Sequence, residues 1–92
     1  MAGKLNVTLD CLEWQDLNDM HNTFRLVLDF PEHYGANFDA LHDLLTSLPP
    51  TELTLLHTGC LAERLGPKGP ILLRVLADSA MENGNLSVTL KL

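Results

Sequence analysis

The order of strand-like and helix-like segments is the feature that most constrains how this chain can fold. Leu5, Val7 and Leu9 alternate with polar residues, which is the pattern of a half-buried β-strand. The same alternation recurs at residues 86–90, and residues 53–57 also predict a strand. Helical spacing and helix-ending residues predict helices at 16–29, 38–47 and 71–81, with a short helical turn at 60–65.

Strands that are separated by helices usually pair in parallel through right-handed crossovers. The order strand, helix, helix, strand, helix, strand therefore predicts an α/β fold, in which three or four helices pack against a three-stranded parallel sheet. The alternation in the first and last strands leaves one polar face, so we expect the helices to cover only one side. We expect one domain over residues 1–92, because this length suffices for one domain and not for two.

The charge of the chain limits its partners. Twelve acidic and six basic residues leave a net charge of −6. Direct binding to nucleic acids and anionic membranes is disfavoured, because both require positive charge on the protein. A basic protein is the natural complement, although acidity can also serve solubility alone.

The N-terminal residues and the lengths of the apolar segments indicate the cellular compartment. The first ten residues contain no apolar segment of the kind that signal peptides carry, and no run approaches the roughly 18 apolar residues that span a bilayer. We therefore expect a cytoplasmic protein in which Cys11 and Cys60 stay reduced. Two cysteines alone cannot make a zinc site.

Residues 38–47 form the clearest amphipathic segment of the chain. At about 100° per residue, Phe38 and the leucines fall on one face. The other face holds Asp39, His42, Asp43, Thr46 and Ser47. Asp39 and Asp43 are four residues apart, so their like charges destabilise the helix by about 0.2–0.5 kcal/mol. Asn37 is a suitable N-cap for this helix.

An acidic stretch surrounds this predicted helix. No lysine or arginine occurs between Arg25 and Arg64, and Asp29, Glu32, Asp39, Asp43 and Glu52 are among the acids in this interval. A chance segregation of charge on a solvated face would produce the same pattern. Among these acids, we expect His33 to contact a partner and Tyr34 to fold back into the core.

Catalysis is the first alternative function. The chain has four histidines and several acids, which could in principle form a metal site or an acid–base pair. No HxH or HExxH spacing, no glycine-rich phosphate loop and no nucleophile elbow accompanies them. We therefore expect no enzymatic activity, no metal and no cofactor.

The segment PEHYGANFDALHDLLTSL, from Pro31 to Leu48, resembles the signature of the barstar family of ribonuclease inhibitors. The matching residues are Pro31, Glu32, Tyr34, Gly35, Asn37, Asp39, Ala40, Leu41, Asp43, Leu45 and Thr46. Outside this segment, the hydrophobic pattern fits the order of elements in that family.

The resemblance implies the three-stranded parallel sheet and an intracellular inhibitor that blocks the active site of a small microbial ribonuclease. That enzyme would be a barnase-like extracellular ribonuclease or a toxin nuclease domain. Asp43 is similar to the family's central aspartate, whose carboxylate occupies the enzyme's phosphate-binding site. Asn37, Asp39 and Thr46 match further contact positions, and Asp78 lies near a glutamate contact in the last helix.

Several positions depart from the family pattern. His33 stands where the family often has a tyrosine that touches the enzyme, and His42 replaces a tryptophan. Ser47 and Leu48 replace a glycine–tryptophan pair, and Ala36 replaces an acid. We expect His33, His42 and Ser47 to belong to the partner-binding surface of a protein that is monomeric when free. The alternative is a barstar-like interaction or regulatory module that binds a basic protein other than a nuclease.

Overall fold

Three parallel strands form the sheet of this protein. The structure, a computed structural model, describes residues 3–92. The strands are β1 (Leu5–Asp10), β2 (Thr51–Leu56) and β3 (Leu86–Leu90), and they lie in the order β1-β2-β3. Leu5 pairs with Thr51, which pairs in turn with Leu86, and both pairings are parallel. The predicted three-stranded parallel sheet is confirmed.

The helices connect these strands. The α-helices are α1 (Leu17–Val27), α2 (Phe38–Leu45), α3 (Leu61–Leu65) and α4 (Lys68–Glu82), and 3-10 turns follow β1 at Cys11–Glu13 and β2 at Thr58–Cys60. An α/β fold with helices packed against the sheet is therefore confirmed. None of the helices within residues 3–92 is long and apolar enough to cross a bilayer.

Several element boundaries differ from the prediction for identifiable reasons. Helix α4 begins three residues earlier and includes Pro70, which fits there because the first-turn amides of a helix have no partners within the helix. Helix α2 ends two residues earlier, where Ser47 N–H donates to the carbonyl of Leu44 in a tighter 3-10 turn. Strand β2 begins at Thr51 and ends before His57, whose φ of 58° is left-handed.

The helices cover one face of the sheet, as the alternation predicted. The residues that are exposed on the other face are Asn6, Thr8, Glu52, Ser87 and Thr89. On the covered face, Leu53 and Leu55 in the central strand are almost fully buried. They join a mainly leucine core in which Trp14 and Phe24 are the largest side chains. The buried face of the sheet thus supports the helices that carry the acidic residues.

A buried asparagine joins the ends of α2 and α4, which pack against each other. Asn83 follows α4 and is 8% exposed. Its Nδ2 donates to the carbonyl oxygens of Leu45 at 3.0 Å and Leu48 at 3.1 Å. The Leu45 carbonyl also accepts the N–H of Leu48 at 3.3 Å, whereas Asn83 is the donor to the Leu48 carbonyl, which lies beyond the end of α2. The two bonds from Asn83 hold the end of α2 against the end of α4.

The loop between α1 and α2 is anchored to the core through Tyr34. Its ring packs against Phe30 with centroids 5.0 Å apart, and its hydroxyl shares a hydrogen bond of 2.6 Å with Nδ1 of His21. Burial raises the pKa of Tyr34 to about 12 and lowers the pKa of His21. Tyr34 therefore folds back towards the core, as predicted, and fixes the loop that leads into α2.

Candidate functional site

Helix α2 presents two aspartates on its solvent face. Asn37 caps the helix, because its side-chain oxygen accepts the N–H of Ala40 at 2.8 Å, as predicted. Asp39 and Asp43 are exposed, and 85% of the Asp43 side chain is accessible. Leu41 lies on the opposite face and is fully buried. The aspartates are thus mounted on a helix whose other face is held in the core.

The hydroxyl groups of Thr46 and Ser47 are engaged at the end of α2. Both donate to the backbone carbonyl of Asp43, at 2.9 Å and 3.1 Å respectively. Thr46 is half-buried and Ser47 is exposed. Their hydroxyl oxygens still have accepting lone pairs, so they can receive a donor from outside the protein.

His42 lies between α2 and α4 rather than fully on the solvent face. Its Nε2 is 2.5 Å from Oε2 of Glu82, and its Nδ1 is 3.9 Å from Oδ1 of Asp43. The packing of α4 beside α2 causes this position, because it brings Glu82 to the edge of the polar face. Glu82 was not among the predicted site residues. Its spacing of four from Asp78 was the available signal, because residues four apart share a helix face.

The carboxylates around His42 favour its charged form. The pKa of His42 is raised, first because of the hydrogen bond to Glu82, and further because of the negative charges of Glu82, Asp43 and Asp78. Partial burial of the ring opposes this shift without cancelling it. Asp78 is exposed on α4, one turn before Glu82. The structure therefore brings Asp78 towards the aspartates of α2.

A shallow cleft lies beside Asp43. Its volume is about 170 Å³, and its lining residues are Pro31, His33, Tyr34, Gly35, Ala40, Asp43 and Leu44. His33 is exposed at this cleft. The cleft connects the loop before α2 with the acidic face of the helix, so His33 and Asp43 border one continuous surface.

The acidic surface, which we define as Asp39, Asp43, Asp78 and Glu82, has an unusual charge balance. Within residues 3–92, no lysine or arginine forms an ion pair with any of these carboxylates. The described part of the chain, residues 3–92, contains no group of three or more histidine, cysteine or acidic side chains that could hold a metal ion. Apart from His42, the carboxylates are open to a cation that a partner supplies.

Comparisons with known proteins give a family match and a similar curated protein. The family model described as "Barstar (barnase inhibitor)" matches residues 5–92. A protein of Bacillus subtilis (strain 168) named "Putative ribonuclease inhibitor YrdF" is 37% identical over 49 residues, which are 53% of this chain and 54% of that protein. The match thus spans about half the length of this curated relative.

Proposed function

The chain belongs to the barstar family of barnase inhibitors, and from this premise we propose that it inhibits a small microbial ribonuclease by covering the enzyme's active site. The observation that carries the proposal is the acidic surface, in which carboxylates on two packed helices have no lysine or arginine partner within residues 3–92. The family match and the name of the relative support ribonuclease inhibition in general.

The chemistry of a ribonuclease explains why such a surface fits it. An enzyme that cleaves RNA binds phosphate, so its active site is lined by cationic side chains. Fixed carboxylates imitate the phosphates, and the opposite charges accelerate the encounter of the two proteins. Mounting the acids on helices reduces the conformational entropy that is lost on binding. This surface therefore favours a barnase-like extracellular ribonuclease or a toxin nuclease domain as the partner.

Asp43 is the proposed centre of the interface. Its side chain is 85% exposed where α2 borders the cleft, and its carboxylate would occupy the enzyme's phosphate site. The surrounding contacts are proposed to be His33, Asn37, Asp39, His42, Thr46, Ser47 and Asp78. In this proposal the protein acts as an inhibitor and not as an enzyme, and it needs no cofactor.

The proposed site of action is the bacterial cytoplasm, where the inhibitor would protect the cell that makes the ribonuclease. Cys11 and Cys60 are free thiols, and a reducing cytoplasm would keep them in that state. We propose that the free protein is a monomeric single domain.

The proposal is tested by measuring inhibition of RNA cleavage by barnase and by a panel of small basic microbial ribonucleases. Asp43→Ala should weaken inhibition by roughly 30-fold or more, because removing one partner of a desolvated charge pair costs about 2–5 kcal/mol. The matched control is Glu63→Ala, which removes the same charge from an exposed position on α3 and should leave inhibition nearly unchanged. Higher salt should slow association of the wild type.

Two results would contradict the proposal. One is that no ribonuclease in the panel is inhibited at micromolar protein, while the chain binds a basic protein that is not a nuclease. That result would favour the interaction-module alternative. The other is that Asp43→Ala and Glu63→Ala weaken inhibition equally, which would mean that net charge rather than this surface determines binding.

A further inference from the structure

One histidine links the two helices of the acidic surface. His42 on α2 contacts Glu82 on α4 through Nε2 at 2.5 Å and lies 3.9 Å from Asp43 through Nδ1. The side chains of Glu82 and Asp43 are 58% and 85% exposed, whereas only 31% of the His42 side chain is exposed. The imidazole therefore lies underneath two carboxylates that point into solvent.

The groups that face this imidazole are all acidic. Asp43 comes from its own helix, and Asp78 and Glu82 come from α4. An imidazolium in this position relieves the repulsion between carboxylates on the two helices. Its hydrogen bond also restricts the rotamers of Glu82, which is otherwise a long and flexible side chain. No lysine or arginine within the described residues takes over this role.

We propose that His42 is a positioning residue that holds Glu82 of α4 beside Asp43 of α2, and that binding of a basic partner releases its extra proton to solvent. The release rests on the proposed function, since it requires a partner with cationic side chains. Those side chains neutralise Glu82 and Asp43, so the charged imidazole loses the interactions that favour it. Neutral His42 can still donate one N–H to Glu82.

The sign of the pH dependence follows from this exchange. The free protein holds the proton more tightly than the complex does, so rising pH favours the complex. The affinity should increase with pH between the pKa of His42 in the complex and its raised pKa in the free protein, by up to tenfold per pH unit. Above that range His42 is neutral in both states, and its contribution to the pH dependence ends.

The first test uses the free protein and needs no partner. NMR titration of the wild type should show a His42 pKa above the ordinary value of about 6.5. Glu82→Gln should bring it back towards that value, whereas Glu63→Gln on α3 should not. A His42 pKa at or below about 6.5 in the wild type, or one that Glu82→Gln leaves unchanged, would overturn the positioning role.

The second test measures binding to barnase from about pH 5.5 to pH 8.5. His42→Ala should weaken binding at about pH 8 by about five- to tenfold, because Glu82 loses its hydrogen-bond donor. His42→Gln should recover part of this loss, since its amide can donate to Glu82. The affinity of the wild type should rise with pH by up to tenfold per pH unit, and His42→Gln should lose this rise. Calorimetry in two buffers should show that the variant releases fewer protons than the wild type when it binds barnase.

The outcomes separate the two ideas. If His42→Gln keeps the wild-type pH profile and proton release, the release mechanism is wrong. If His42→Ala and His42→Gln bind equally at about pH 8, the positioning role in binding is wrong. If the wild type does not bind barnase at any pH, the proposed function fails for this enzyme, and proton release on binding fails with it. The titration of the free protein still decides whether His42 holds Glu82.

Discussion

Replacing Asn83 by alanine should destabilise this protein more than an alanine substitution at an exposed position, because Asn83 joins α2 to α4 from a buried position. Its Nδ2 donates to the carbonyls of Leu45 and Leu48, and its Oδ1 accepts the N–H of Asn85 at 3.0 Å. Each net hydrogen bond contributes about 0.5–1.5 kcal/mol, and Asn83→Ala removes three of them. The Leu45 carbonyl keeps its bond from Leu48 N–H, whereas the half-buried Leu48 carbonyl loses its donor. Asn83→Ala should therefore lower the free energy of unfolding by about 2–4 kcal/mol.

Urea denaturation followed by circular dichroism measures this loss as a lower midpoint at an unchanged m value. Asn85→Ala is the matched control, because Asn85 is exposed and contributes only backbone groups to hydrogen bonds. The control should change the free energy of unfolding by less than about 0.5 kcal/mol. If Asn83→Ala is equally mild, the asparagine does not hold the two helices together. Asn83 would then not be what keeps the α2 and α4 segments that carry Asp43 and Glu82 together.

Two other predictions concern stability. Gly69→Ala should destabilise the protein by about 1–3 kcal/mol despite the better helix propensity of alanine, because the new Cβ would lie 2.9 Å from the carbonyl oxygen of Leu61. Gly84→Ala is the control and should be nearly neutral in the same urea assay, because its new Cβ would meet nothing within 4 Å. Equal effects of the two substitutions would refute the steric argument. Burial lowers the pKa of His21, so the unfolded chain takes up the proton first as pH falls below about 6.5. The contribution of His21 to the free energy of unfolding should therefore decrease from pH 7.5 to about pH 5, whereas the raised pKa of His42 acts in the opposite direction. His21→Gln should lose the His21 part of the dependence, and an identical pH profile in the variant would contradict the assignment.

Most elements of the fold could be predicted because their signals are local. Apolar alternation and helical spacing reflect the periods of 2 and 3.6 residues, which any segment expresses in its own sequence. The N-cap role of Asn37 likewise depends only on residues within one turn of α2. Element ends were less predictable. The predicted helix at 71–81 began after Pro70, which lies in the first turn of α4, and the predicted strand at 53–57 included His57, whose left-handed conformation lies beyond the end of β2.

The candidate site likewise combines features that local sequence predicts with features that depend on contacts between distant segments. The exposure of Asp39 and Asp43 could be predicted, because their positions on α2 follow from helical geometry and from the leucines opposite them. Glu82 was not assigned to the same surface, because its contact with His42 joins positions 40 apart in the chain and only its spacing of four from Asp78 pointed to it. The burial of His21 was also missed, since a histidine carries no strong preference for the core and its pairing with Tyr34 links two different segments.

The sequence by itself determined the parallel α/β order and the placement of two aspartates on one helix face, because periodicity and crossover handedness act along the chain. Only the tertiary structure decided that α4 adds Glu82 to the acidic surface, that His42 lies between the two helices, and that Asn83 joins their ends. The physical reason is that contacts between helices depend on how their buried faces pack together. That packing is set jointly by the sheet and the core, and no single segment specifies it.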